Sequence, residues 1–208
     1  NPTWVSGASA KINGALKFNA ASSDYATLPA GIVNGLTDFT VACWVKLDSV
    51  SDWARIFDFN IGDNSTTMYL TPRTAGGVVR FGIKVANVGQ ILEGSSALPT
   101  GAWMHVAVTR AGSTAILYTN GTVMATTTTM TFTPSSIGNS TSNYLGKSSD
   151  PGNPYLNGTI DEFQIFDRAL TAADIVAIAA PPATPTNLVA TPGNGKVDLT
   201  WSAVAGAT

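Results

Sequence analysis

The sequence predicts an all-β fold, a sandwich or a barrel, with one short helix near its C-terminal end. Helical periodicity is nearly absent along the chain. Short runs rich in Val, Ile, Thr, Phe and Tyr recur instead, and turn residues, above all Asn-Gly pairs, stand between them. Many short strands with no helices between them form sheets that pack on each other or close on themselves.

In chain order the strand-like runs are 15–18, 25–28, 39–47, 54–60, 67–72, 78–85, 90–93, 104–110, 115–119, 122–127, 143–146 and 158–167. The pairs Asn13-Gly14, Asn34-Gly35, Asn120-Gly121 and Asn157-Gly158 offer positive φ at little steric cost, as tight turns require. The clearest hairpin spans 115–125 and turns at Asn120-Gly121, with flanks that alternate apolar and polar residues. The one predicted helix covers 170–179. Thr171 is its N-cap and Asp174, three residues on, completes a capping-box-like start, while Leu170, Ile175 and Ile178 share a face.

Composition narrows the function. Only 12% of residues are charged, about half the usual share, so Thr, Ser, Asn and Gly keep the surface soluble. A formal charge of −2 with eleven scattered Lys and Arg gives no basic face for nucleic acid; a neutral or weakly polar partner such as a sugar fits better. Cys43 is the one cysteine, so the chain forms no internal disulfide and holds no CxxC metal site; in its apolar run it reads as a small hydrophobe. No apolar run reaches the ~18 residues of a transmembrane helix, and any export signal is expected upstream of Asn1.

Three segments are predicted: residues 1–180 as the β domain, a Pro-rich extended linker at 181–186, and a second β unit at 187–208. The last holds two strand-like runs around Pro192-Gly193-Asn194-Gly195 and resembles the first two strands of a fibronectin type III domain, with Trp201 as its core tryptophan.

Residues 1–180 resemble the laminin-G-like branch of the concanavalin A-like lectin/glucanase fold. The match is carried by Gly14-Ala-Leu-Lys-Phe-Asn19, Asp24-Tyr-Ala-Thr-Leu-Pro29, Phe39-Thr-Val-Ala-Cys-Trp-Val-Lys46, Trp103-Met-His-Val-Ala-Val-Thr-Arg110, Tyr144-Leu-Gly146 and Gly158-Thr-Ile-Asp-Glu-Phe-Gln-Ile-Phe-Asp-Arg-Ala-Leu170. Family members often begin with a strand before the position of Trp4, so a first edge strand is expected to be missing. The resemblance implies a two-sheet antiparallel jelly-roll sandwich. It also implies a non-catalytic carbohydrate-binding module, monomeric and secreted by a bacterium, which holds a tethered catalytic domain near a polysaccharide. A structural or adhesive spacer that binds protein or no ligand is the alternative, and a divergent glycoside hydrolase is the third reading.

Catalysis has little support in the residues. GxSxG, HExxH and P-loop motifs are absent, and the only histidine, His105, lies among apolar neighbours. Asp161 and Glu162 are adjacent on a strand, so their side chains should point to opposite faces and not to one glycosidic bond.

For binding, two loops gather oxygen donors: 58–65 and 147–153. In the pentraxins, distant relatives of the same jelly roll, the equivalent loops hold calcium and ligand, and Asp63, Asn64 and Asp150 are the positions that line up. Calcium is therefore the expected cofactor, with Asp161 a separate candidate ligand; the other reading is that these side chains cap their own turns. A sugar site pairs an aromatic face with amides and carboxylates. Trp44 and Trp103 read as core, whereas Trp53, in a polar loop, and Tyr155, beside Asp150 and Asn153, are the candidate aromatics. Arg73 could meet an acidic sugar. The expected carbohydrate-binding set is Trp53, Asp63, Asn64, Asp150, Asn153 and Tyr155.

Overall fold

The computed structural model describes residues 1–180 and 187–202; the linker assigned to 181–186 lies outside the described residues. In chain order the strands are β1 (Thr3–Ser6), β2 (Gly14–Phe18), β3 (Ala26–Leu28), β4 (Phe39–Ser49), β5 (Phe57–Asn60), β6 (Thr67–Thr71), β7 (Arg80–Val85), β8 (Val88–Glu93), β9 (Trp103–Ala111), β10 (Thr114–Thr119), β11 (Thr122–Thr127), β12 (Ser142–Leu145) and β13 (Asn157–Phe166). Helix α1 (Ala172–Ile178) follows, then the strands β14 (Val189–Gly193) and β15 (Lys196–Thr200).

Seven strands form one antiparallel sheet in the order β1-β2-β13-β4-β9-β10-β11, and six form the other in the order β3-β12-β5-β6-β7-β8. The chain crosses between sheets after β2, β3, β4, β8, β11 and β12, which produces the jelly-roll sandwich. Alternate residues of facing strands fill the interior: Val41, Cys43 and Val45 on β4, Val106 and Val108 on β9, Phe57 and Phe59 on β5, Met68 and Leu70 on β6, and Phe81 and Ile83 on β7. Cys43 is fully buried, and burial pushes its thiol up to about 12, so it packs as a small hydrophobe.

Three sequence expectations change. Thr3–Ser6 supplies the edge strand of the larger sheet, pairing with β2 from Thr3↔Lys17 to Ser6↔Gly14. Asn157-Gly158 is no turn but the start of β13, where the register against β4 shifts. A Cβ on Gly158 would stand 2.5 Å from the Lys46 carbonyl oxygen, so glycine is needed there for close approach of two backbones. The alternation of Asp161 and Glu162 is broken by a second irregularity between Asp161 and Gln164, with Glu162 at φ 48°. The turn at Asn120-Gly121 holds, with φ of 48° and 79°.

The outer face of the seven-stranded sheet is covered. Thr171 caps α1 and exchanges bonds with Asp174, as the capping box requires. The helix then lays Ile175, with Leu170, on Ala42, Ala107 and Tyr118, an apolar cluster separate from the main core. Thr40 Oγ1 ties this cover down, donating to the Arg168 carbonyl and accepting from Leu170 N–H. Farther along the same face, Lys11 sits 4.2 Å above the Trp44 ring, and Asp161 fixes that loop by accepting the N–H groups of Lys11 and Ile12 at 2.8 Å. The hairpin β14–β15 is paired from Val189↔Thr200 to Gly193↔Lys196.

Candidate functional site

The outer face of the six-stranded sheet carries polar side chains at every second position: Asp58 and Asn60 on β5, Thr67, Tyr69 and Thr71 on β6, Arg80 and Lys84 on β7. Register places Gly82 opposite Tyr69, and a Cβ on Gly82 would meet the Tyr69 ring at 2.9 Å. The ring therefore lies flat on the glycine. Arg55 stacks on it, with its guanidinium carbon 4.2 Å from the ring centroid.

Around this floor is a cleft of about 330 Å³ lined by Trp53, Arg55, Asn64, Tyr69, Arg80, Lys84, Asp150 and Asn153. Asp58, fully buried, organises its base. One carboxylate oxygen accepts from Asn60 Nδ2 and Thr67 Oγ1, and the other from the N–H and hydroxyl of Ser149. These bonds draw the 147–153 loop onto β5 and β6. The loop orders itself through Ser148, whose hydroxyl accepts from Asp150 N–H and Asn153 Nδ2. Asn64 donates to Asp150 at 3.1 Å and accepts from Lys84 at 3.0 Å, joining the two loops singled out from sequence.

Trp53 forms the rim. Its backbone is left-handed, with φ 66°, a conformation that costs a bulky L-residue about 1–3 kcal/mol. The neighbours impose it: Trp53 N–H donates to the Arg73 carbonyl at 2.8 Å, and its own carbonyl accepts from Arg55 at 2.9 Å. The indole is half-buried and the Arg80 guanidinium lies 5.0 Å from its centroid.

The cleft brings together four of the sequence candidates, Trp53, Asn64, Asp150 and Asn153. The others lie elsewhere. Asp63 lines a neighbouring hollow of about 440 Å³, which shares Asn64 with the cleft. It folds back on its own loop, accepting from Ser65 N–H at 2.7 Å, and its bonds to Ser65 hold its carboxyl below the usual range. Tyr155 is half-buried, 6.2 Å from Tyr25, which meets Tyr144 edge-on. Asp161 is in the other sheet, where its carboxylate also accepts Glu162 N–H. Arg73 pairs with Asp52 at 3.0 Å.

Arg55, Tyr69, Arg80 and Lys84 were not singled out from sequence. For Tyr69, Arg80 and Lys84 the signal was the alternation of polar residues with Met68, Leu70, Phe81 and Ile83, but only pairing shows which polar face receives the loops. Burial lowers the pKa of Arg55 and of Lys84, and in both it is opposed by Asp58.

A calcium ion needs six to eight oxygens. Among the described residues no three carboxylate, histidine or cysteine side chains come close enough to hold a metal ion. The Asn64 carbonyl faces the Lys84 ammonium and the Asp161 oxygens face amide hydrogens. As folded, Asn64 and Asp161 therefore spend these oxygens on protein donors.

With fold and cleft in view, the chain belongs to the concanavalin A-like lectin/glucanases superfamily, whose laminin-G-like family model matches residues 20–176. It is similar in fold to domain 4 of AbnA, an extracellular GH43 arabinanase from Geobacillus stearothermophilus, solved with arabinotriose. That likeness has a TM-score of 0.72 and 24% identity, over 86% of this chain and 82% of the other. It is also similar to the CBM40 of the Ruminococcus gnavus IT-sialidase, solved with α2,3 sialyllactose, with a TM-score of 0.60 and 17% identity over 76% and 97%. A pentraxin from Limulus polyphemus matches with a TM-score of 0.52 and 19% identity over 74% and 72%. A search of curated protein sequences finds no match.

Proposed function

We propose that the chain is a non-catalytic carbohydrate-binding module that uses the cleft on its six-stranded sheet. The observation that carries this reading is Trp53, a bulky aromatic held in a left-handed backbone at the rim of a cleft whose wall is Asn64, Asp150 and Asn153. The indole offers an apolar face to sugar C–H groups, and the amides and carboxylate read hydroxyls. The fold neighbours solved with arabinotriose and with sialyllactose support the reading. The carboxylates also support a binding role over hydrolysis, because Asp58 and Asp161 are both committed to internal hydrogen bonds.

In the same proposal the module is secreted and tethered to a catalytic domain, with 187–208 beginning a fibronectin type III unit. It works by proximity, raising the local concentration of substrate. Sugar binding at this cleft is independent of calcium, since Lys84 supplies the positive charge beside Asn64.

Affinity electrophoresis through plant, algal and microbial polysaccharides, with calcium and then with chelator, tests this. Retardation by one polymer that survives chelation and disappears in Asn64→Ala is the expected result. Retardation lost with chelator would return the site to calcium, and no retardation by any polymer would favour a spacer.

A further inference from the structure

Resting on that reading, we infer that the cleft selects saccharides bearing a carboxylate, with Lys84 and Arg80 as the residues that read the acid. Three cationic side chains, Arg55, Arg80 and Lys84, line it against one carboxylate, Asp150, in a chain of formal charge −2. Arg80 and Lys84 stand four residues apart on one face of β7, and the residue between them on that face is Gly82, which leaves room for the Tyr69 ring. The two cations therefore flank an aromatic floor with Arg55 stacked upon it.

The charges are not all spent inside the protein. Arg80 directs Nε and Nη2 to a single oxygen of Glu93 at the outer side of β7, at 2.9 and 2.7 Å. Arg55 is only 4% exposed, yet its Nε has no hydrogen-bond partner; Asp58 Oδ2 lies 3.4 Å away. Among the described residues the Lys84 ammonium donates only to the neutral Asn64 carbonyl, and no carboxylate lies within ion-pair distance. Arg55 is thus held by Asp58, whereas a cation that faces a neutral acceptor, as Lys84 does, gains when an anion enters. Asp150 works the other way, and its bond to Asn64 turns one of its oxygens toward that amide.

The chemistry specified is a planar carboxylate on a pyranose or furanose ring, as in uronic and sialic acids. The ring lies against Trp53 and the acid faces Lys84 and Arg80. Neutral sugars can occupy the same cleft but leave the Lys84 ammonium without a carboxylate partner.

Isothermal titration with matched pairs tests this: oligogalacturonide against its methyl ester, glucuronic-acid-bearing against undecorated xylo-oligosaccharide, and sialyllactose against lactose. The expected result is that at least one acid binds about tenfold or more tightly than its neutral partner. That preference should fall with added salt and vanish in Lys84→Gln/Arg80→Gln. Both side chains are partly exposed at the cleft, and a circular dichroism melt verifies that the variant folds. Equal affinity for acid and neutral partner, or a preference that survives the double substitution, overturns the inference and leaves the binding module standing. Failure of every saccharide to bind overturns both.

Discussion

Replacing His105 with Phe should remove one defined source of the sandwich's sensitivity to acid. His105 is 2% exposed on the covered face of the larger sheet, edge-on to Trp44 at 5.3 Å, and its Nδ1 has no hydrogen-bond partner. Burial pushes the imidazole from 6.5 down to about 4. The unfolded chain therefore takes up a proton between pH 6.5 and about 4 that the folded chain refuses. Stability is unaffected by this group above that window and falls as pH drops through it. With these two values the loss is about 2 kcal/mol at pH 5 and about 3 kcal/mol at pH 4. His105→Phe keeps a ring against Trp44 and has nothing to protonate. Urea unfolding of both proteins from pH 7 to pH 4, taken as the difference between them, cancels the carboxylates they share. The variant should gain on the parent by about 3 kcal/mol across that range. A difference that stays flat with pH would show that the imidazole is solvated, and the burial argument would fail.

Trp53→Gly should separate stability from binding. Glycine adopts the φ of 66° freely, so the melting temperature should hold or rise by the equivalent of about 1 kcal/mol while retardation by polysaccharide is lost; a glycine variant that still binds removes Trp53 from the site. Asp161→Ala strips the acceptor from three backbone N–H groups, those of Lys11, Ile12 and Glu162. It should cost about 3 kcal/mol and expose Trp44, read by denaturant titration with tryptophan fluorescence. Chelator added to the parent should not reproduce that loss; if it does, Asp161 holds a structural metal. Gly82→Val sets a Cβ against the Tyr69 ring and should destabilise by about 1–3 kcal/mol and abolish binding, because Tyr69 and Arg55 must move off the sheet. Unchanged binding in that variant would place the sugar elsewhere.

Much of the architecture was legible because its determinants are local. Alternation in 39–47 and 104–110 marked the central strands, and their buried residues are Val41, Cys43, Val45, Val106 and Val108. Thr171 and Asp174 announced α1, and Asn120-Gly121 announced the hairpin turn, since each interaction spans three residues or fewer. Two local readings failed where a distant strand intervened. Asn157-Gly158 has the composition of a turn but lies against Lys46, and the Asp161–Glu162 alternation yields to a bulge opposite β4.

The same division runs through the site. Loop composition singled out Asn64, Asp150 and Asn153, and the oddity of a tryptophan in a polar loop singled out Trp53. Tyr69 and Gly82 look unremarkable in the sequence and acquire meaning only through register, which stacks the ring on a position lacking a side chain. Composition and period thus determined that this chain folds as a β sandwich, because a strand declares its apolar face every second residue. Which outer face stays open was settled by long-range contacts. Helix α1 and the loop held by Asp161 cover the larger sheet, and the cations of β7 meet the loops after β5 and β12 on the smaller one. Pairing across strands sets those distances, and no short stretch of sequence encodes them.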